Sequence, residues 1–249
     1  MASFTTHALQ LSLLAGSVLI SAQLQAAPTC SVHSAASVTP VVELYTSEGC
    51  NSCPPADKWL SQLKVDAPVV ALAFHVDYWD RLGWKDRFAS AAFTQRQTEL
   101  QRSSGARFSY TPQVILNGVD RPDWPRASVT TPGAVASIDA QLTRDGSRVT
   151  ATIRPSSAAP ARLAAYWAVT EQGHVSAVKA GENQGVTLAH DHVVREYRPV
   201  PAWSARPEVP ATFQFDLGGA ADPAHPRQVN LVIVDAESGR PLQAVKLGC

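Results

Sequence analysis

Val41-Val42-Glu43-Leu44-Tyr45-Thr46-Ser47-Glu48-Gly49-Cys50-Asn51-Ser52-Cys53-Pro54-Pro55-Ala56-Asp57 is the stretch whose reading decides the fold. Its first five residues have the length and β-branched content of a strand. Residues 46–49 read as a turn, and residues 50–63 carry Trp59, Leu60 and Leu63 at helical spacing. A Cys-x-x-Cys at a strand-to-helix junction is a specific signal when the surroundings alternate strand and helix. They do. Residues 69–74 (VVALAF) form a continuous apolar run behind Pro68, as a buried parallel strand requires. Residues 86–102 return to a helical pattern, Pro112 introduces Gln113-Val114-Ile115-Leu116, and Asn117-Gly118 is a hairpin turn signal. The order strand, helix, strand, helix, strand, turn predicts an α/β unit whose right-handed crossover sets the first two strands parallel.

Further along, residues 121–132 are rich in Pro and residues 134–142 form one more amphipathic stretch, read as helical. Beyond Asp145-Gly146 that period disappears. Short alternating runs take over at residues 148–154, 163–169, 193–197, 211–217, 229–234 and 242–247, separated by turn residues such as Glu237-Ser238-Gly239-Arg240-Pro241. This predicts an all-β sandwich or partial barrel. The expected organisation is an α/β domain over residues 38–144 and a β-rich domain over residues 145–249.

Ahead of both lies an expected export signal at residues 1–26. Residues 9–22 are apolar and too short to span a bilayer, and small residues follow at Ala26 and Ala27. The pattern departs from the rule in one respect: no Lys or Arg precedes Leu9. The expected location is the periplasm or the exterior, with no membrane segment in the mature form. The 249 residues carry 21 basic and 21 acidic side chains, with no block of like charge. Such a balance gives no footprint for a nucleic-acid backbone or an anionic membrane.

Export makes disulfides the natural reading of the four cysteines, Cys30, Cys50, Cys53 and Cys249. Four cysteines allow three pairings. Cys50 and Cys53 are near enough to pair, which leaves Cys30 with Cys249, a bond joining the first mature residues to the last. A loop of that length constrains the unfolded chain by about 4–5 kcal/mol in the entropic account. The pattern is one reactive pair and one staple. In the reactive pair, Cys50 is the expected nucleophile, near a helix N-terminus where free N–H groups favour a thiolate. Cys53 then resolves the mixed disulfide. Pro54 stands where a haem-attachment motif needs His. With Pro55 it also removes N–H donors, and a helix starting at Pro54 would aim its dipole nearer Cys53 than Cys50.

The segment from Glu43 to Asp57 resembles the signature of a bacterial family of secreted thioredoxin-like proteins of unassigned function. His75-Val76-Asp77-Tyr78-Trp79 with Gly83-Trp84 and Asp86 is similar to that family's second block. Tyr110-Thr111-Pro112-Gln113 is similar to its third, and Gly181-Glu182-Asn183 with Gly185 to its C-terminal part. The resemblance implies a thioredoxin-like α/β domain followed by an all-β one, with Pro112 cis opposite the cysteine pair and Thr111 lending its backbone to substrate. It also implies that Glu43 is a buried carboxylate assisting proton removal from Cys53.

By their position after the second strand, His75, Asp77, Tyr78 and Trp79 are expected beside Cys50 as substrate-binding groups, or as caps on the sheet end. His190 and His192 form an H-x-H on one face of a predicted strand; no metal is assigned to them, and no cofactor is called for. The leading expectation is a thiol–disulfide oxidoreductase acting on a protein or a small thiol or disulfide. Two alternatives stand beside it: a non-enzymatic secreted binding module with structural disulfides, and a copper or zinc carrier using Cys50, Cys53 and His75.

Overall fold

Residues 41–46 form a strand in which every side chain is buried, so neither of its faces meets solvent. In this computed structural model the described residues are 1–2, 30–104, 106–129, 133–207 and 209–249. The signal segment read at residues 1–26 falls outside them, apart from its first two residues. In chain order the elements are β1 (Cys30–His33), β2 (Val41–Thr46), α1 (Pro54–Leu60), β3 (Val70–His75), α2 (Ala91–Ser104), β4 (Gln113–Leu116) and β5 (Val119–Asp120). There follow β6 (Ile138–Asp145), β7 (Arg148–Pro155), β8 (Arg162–Glu171), β9 (His174–Ala177), β10 (Thr187–His190), β11 (Val193–Ser204), β12 (Ala211–Asp216), β13 (Arg227–Asp235) and β14 (Pro241–Leu247).

The expectation of an α/β thioredoxin-like N-terminal domain is overturned. The described residues hold fourteen strands and only two α-helices, and β2 to β5 do not close a sheet of their own. They continue an eight-stranded sheet of order β14-β13-β8-β11-β3-β2-β4-β5. The seam is a short parallel pairing of Val193 in β11 with Ala73 in β3, backed by a 2.8 Å bond from Ala73 N–H to His192 O. Local periodicity cannot announce such a pairing across more than a hundred residues.

Two element readings change as well. Residues 134–142 give no helix: Ile138, Ala140 and Leu142 are buried at period two and belong to β6, which pairs with β1 and β7. The first helix shrinks from residues 50–63 to seven residues, because it starts only at Pro54 and ends at Leu60. The parallel pairing of β2 with β3 is present, with Thr46 opposite His75.

One face of the large sheet carries a core of Tyr45, Leu72, Phe74, Tyr166, Val194 and Val232 with Phe93 of α2. The opposite face is shared. Val42, Leu44, Ala71 and Ala73 pack on Ala56 and Leu60 of α1. Leu163, Trp167, Leu231 and Val245 pack on Ile138, Leu142, Ile153 and Phe215, contributed by a second sheet of order β1-β6-β7-β12. The bond between Cys30 and Cys249 ties β1 to the C-terminal residue. A two-stranded hairpin, β9 with β10, lies outside both sheets and touches α1. Among the described residues, no helix is long and apolar enough to cross a membrane.

Candidate functional site

The C-terminal ends of β2 and β3 and the start of α1 converge on one point. Alternation along β2 turns Val42, Leu44 and Thr46 toward α1, and in parallel register β3 brings His75 beside Thr46. The chain then turns back tightly, with Cys50 N–H on Ser47 O and Cys53 N–H on Cys50 O, both at 3.2 Å. Gly49 lets the turn approach Trp79 closely: a Cβ at that position would stand 3.0 Å from the Trp79 Cβ. Cys50 and Cys53 are joined in a disulfide with Cα atoms 5.5 Å apart. Both are fully buried, while Asn51 and Ser52 between them are exposed. Cys53 caps α1, and its carbonyl accepts from Ala56 N–H (2.9 Å) and Asp57 N–H (3.1 Å). Pro54 and Pro55 have no N–H to offer. This helix end therefore has no free donor to stabilise a thiolate at Cys50; Cys50 Sγ lies 3.4 Å from Ser52 Oγ.

Around the pair lies a buried cluster of three carboxylates and two histidines. Asp57 is one helical turn past Cys53 and accepts from Thr46 Oγ1 at 3.0 Å. Burial pushes its carboxyl above the ordinary value, more than the histidines His190 and His75 pull it down. Asp86 Oδ2 accepts from Glu48 N–H (2.9 Å) and lies 2.7 Å from His75 Nδ1, and Oδ1 accepts from Phe88 N–H (2.9 Å). Burial pushes this carboxyl up, but His75 and the backbone donors outweigh it and hold the group at about 2. Glu48 accepts from Trp84 Nε1 at 2.7 Å through Oε2, while Oε1 faces His190 Nε2 at 3.4 Å. Asp57, His75 and His190 bring one ligand-capable atom each within 4.8 Å of one another.

The loop between β9 and β10 closes over the pair. Asn183 Nδ2 donates to Glu48 O (2.9 Å) and Cys50 O (3.0 Å), and Asn51 N–H donates to Glu182 Oε2 (3.3 Å).

The structure separates some residues that the sequence placed together. Glu43 lies on the other face of β2, away from the cysteines. Arg96 of α2 clasps it through Nη2 (2.6 Å) and Nε (3.2 Å), with Tyr45 and Tyr166 hydroxyls donating at 2.8 and 2.5 Å. Burial would raise the Glu43 carboxyl, but Arg96 and these donors carry it below 4.5.

Asp77 and Tyr78 serve α2: Asp77 bonds Thr94 at 2.5 Å, and Tyr78 donates to Gln97 at 3.2 Å. Trp79 stands against Gly49 and donates from Nε1 to Thr111 Oγ1 at 2.8 Å. The Thr111–Pro112 peptide is cis. His190 and His192 do not share a face. His190 ends β10 and enters the cluster, whereas His192, at positive φ in the next turn, bonds Leu63 O at 2.7 Å.

Residues 41–234 match the family described as Protein of unknown function (DUF1223). The chain belongs to that family. All the site residues described above fall inside the matched segment; Cys30 and Cys249 fall outside it. Among solved structures, the chain is similar to the crystal structure of a protein from Agrobacterium tumefaciens, a structural-genomics target. That likeness has 28% identity over 85% of this chain and 94% of the other, with a TM-score of 0.60. HBP35 of Porphyromonas gingivalis is similar in fold, at 14% identity over 86% of this chain and 76% of that one, with a TM-score of 0.59. No curated protein matches the chain.

Glu48, Asp57 and Asp86 were not singled out as site residues in the sequence. For Asp57 a signal existed: it shares the short helix with buried Ala56 and Leu60, and a carboxylate one turn from a Cys-x-x-Cys on a buried face needs a reason to be there.

Proposed function

We propose that this DUF1223 protein is a secreted thiol–disulfide oxidoreductase acting through Cys50 and Cys53. The observation that carries the reading is Asp57, a buried carboxyl with a raised pKa one helical turn from the second cysteine of the pair. It occupies the chemical role that the sequence expectation gave to Glu43. The two disulfides are compatible with an oxidising compartment, and the periplasm or exterior is the proposed location.

In the reduced protein, the Cys50 thiolate attacks a substrate disulfide, forming a mixed disulfide and releasing one substrate thiolate. The Cys53 thiol passes its proton to the Asp57 carboxylate, and the resulting thiolate attacks Cys50 Sγ. The second substrate thiolate leaves, the protein holds a closed disulfide, and the substrate has gained two electrons. The reverse sequence oxidises a dithiol. Trp79 stands against Gly49 and donates to Thr111, and in this reading an extended substrate chain would rest along Trp79, Thr111 and the cis Pro112; Asn51 and Ser52 are the exposed approach. The burial of both sulfurs favours a small or extended thiol or disulfide over a broad folded surface.

The test is titration of the protein against glutathione buffers, with thiols trapped and mapped by mass spectrometry. Cys50–Cys53 is expected to open while Cys30–Cys249 stays closed. Because the α1 N-terminus has no free N–H donor for a thiolate, the expected potential lies nearer about −270 mV than about −120 mV. A pair that stays closed below about −300 mV is a structural staple, and the reading is then abandoned for a secreted binding module.

A further inference from the structure

The cluster beside the disulfide keeps buried polar atoms that the chain leaves without a hydrogen bond. Among the described residues these include His75 Nε2 and His190 Nδ1, while His190 Nε2 and Glu48 Oε1 face each other at 3.4 Å. His75 is fully buried and His190 is 2% exposed. Buried polar atoms are nearly always satisfied, so two unpartnered ring nitrogens beside a carboxylate at one point ask for a missing partner. We infer that Asp57, His75 and His190 form a binding site for a divalent cation of the zinc type.

Four observations support the assignment. First, two imidazoles and a carboxylate are a zinc ligand set, three protein ligands leaving a fourth position open. Second, each ligand has an outer partner that orients it. Asp86 Oδ2 sits 2.7 Å from His75 Nδ1, which leaves Nε2 to bind. Glu48 Oε1 faces His190 Nε2 at 3.4 Å, leaving Nδ1, which already points at Asp57 Oδ1 across 4.0 Å. Thr46 Oγ1 donates to Asp57 Oδ2, leaving Oδ1. A carboxylate behind each histidine is the arrangement that fixes the tautomer and raises ligand basicity at metal centres. Third, three elements far apart in sequence (α1, β3 and β10) deliver the three groups to one spot.

Fourth, there is a way in. A cavity of about 400 Å³ is lined by Asp57 and His190 together with Pro54, Lys58 and Leu188. The three ligand atoms lie within 4.8 Å of one another, wider than the roughly 3.3 Å edge of a tetrahedral zinc site, so binding draws the side chains together. The cysteines are not among the ligands, being joined to each other. This differs from a carrier using Cys50, Cys53 and His75.

Asp57 is also the proton acceptor proposed for Cys53, so an ion there would compete with exchange. The binding itself does not depend on that reading, and it is tested with Cys50–Cys53 closed. Zn²⁺ is titrated calorimetrically into the full oxidised chain in a non-coordinating buffer, and Co²⁺ into a parallel sample as a spectroscopic reporter. One equivalent of Zn²⁺ is expected. His190→Gln and Asp57→Asn should each weaken it at least tenfold, while His33→Gln, an exposed change in β1, should bind like the wild type. The Co²⁺ form should show four-coordinate ligand-field bands without a thiolate charge-transfer band.

Thermal unfolding of each variant establishes that it folds, and Asp57→Asn alone decides if His190→Gln does not. Three results overturn the site: no stoichiometric binding, binding retained in the folded variants, or a thiolate band that moves the metal to the cysteines.

Discussion

The two faces of β2 bury carboxylates of opposite character. On the α2 face, Glu43 meets a bidentate Arg96 and two tyrosine hydroxyls, and its pKa falls. On the α1 face, Asp57 has one hydroxyl donor and two histidines that do not hydrogen-bond it, and its pKa rises. The two are almost equally buried, at 4% and 7% exposure, so burial does not explain the difference. Partners do. A buried charge with every lone pair satisfied is a structural device, whereas one left short of partners is poised to take up a proton or a cation. The disulfide lies on the second face.

The sharpest way to break this contrast is to remove Arg96. Arg96→Ala strands Glu43 as an uncompensated buried charge, and the expected cost is about 3–5 kcal/mol in urea unfolding. A loss under about 1 kcal/mol would mean that Glu43 simply protonates or finds water, and that the α2 face is not the rigid one. The same network sets the acid limb of stability. Because the folded Glu43 pKa is below its ordinary 4.5, its contribution is fully present above that value and is lost as pH falls through the folded pKa. Stability measured from pH 6 downward should therefore fall below about pH 4.5 in the wild type, and more gently in Glu43→Gln.

Asp57→Asn asks the opposite question. A raised carboxyl pKa means that the folded state binds the proton more tightly, so its stabilising effect is present below the ordinary 3.8 and lost as pH rises through the folded value. At neutral pH the ionised group works against the fold, and the Asn variant should unfold within about 1 kcal/mol of the wild type. Its chemistry should suffer more. With the proton acceptor gone, the step in which Cys53 resolves the mixed disulfide should slow about a hundredfold, seen as accumulation of a Cys50–substrate adduct by rapid quench. Equal adduct lifetimes in the two proteins would remove Asp57 from the mechanism.

What the sequence showed and what it hid follow from the range of the interactions concerned. The strands at residues 41–46, 70–75 and 113–116 and the turn at Asn117-Gly118 are local in origin, written in β-branched runs and turn residues. The disulfide pairing was legible too, because only one partition of four cysteines puts neighbours together. The joining of both halves into one sheet was not, since it rests on Val193 beside Ala73. Nor was the identity of the carboxylate proposed here as the base. Glu43 and Asp57 are both acids near the pair in sequence, and only the pleat of β2 and the start of α1 decide which one lies on the face of α1 and which on the face of α2. His190 was visible as half of an H-x-H, but its partners in space are His75 and Asp57, not His192. A two-residue spacing predicts a shared face only if both residues lie in one strand, and here the strand ends at His190 and the chain turns.

The smallest effect tests how the second face is kept closed. Asn183 reaches from the β9–β10 loop to the carbonyls of Glu48 and Cys50, so it latches a segment of the C-terminal half onto the turn that holds the disulfide. Asn183→Ala leaves both carbonyls without that donor and should cost about 1–2 kcal/mol. If this opening limits access to the buried sulfurs, reduction of Cys50–Cys53 by a small dithiol should speed up about fivefold to thirtyfold, the factor that the same free energy gives. Glu182→Ala, which removes only the exposed 3.3 Å contact to Asn51, should change stability by no more than about 0.5 kcal/mol and leave the rate nearly as it was. A latch predicts that the two variants differ. If Asn183→Ala lowers stability without changing the reduction rate, Asn183 braces the turn but does not gate it, and the sulfurs are reached from the side of Trp79 and Thr111 instead.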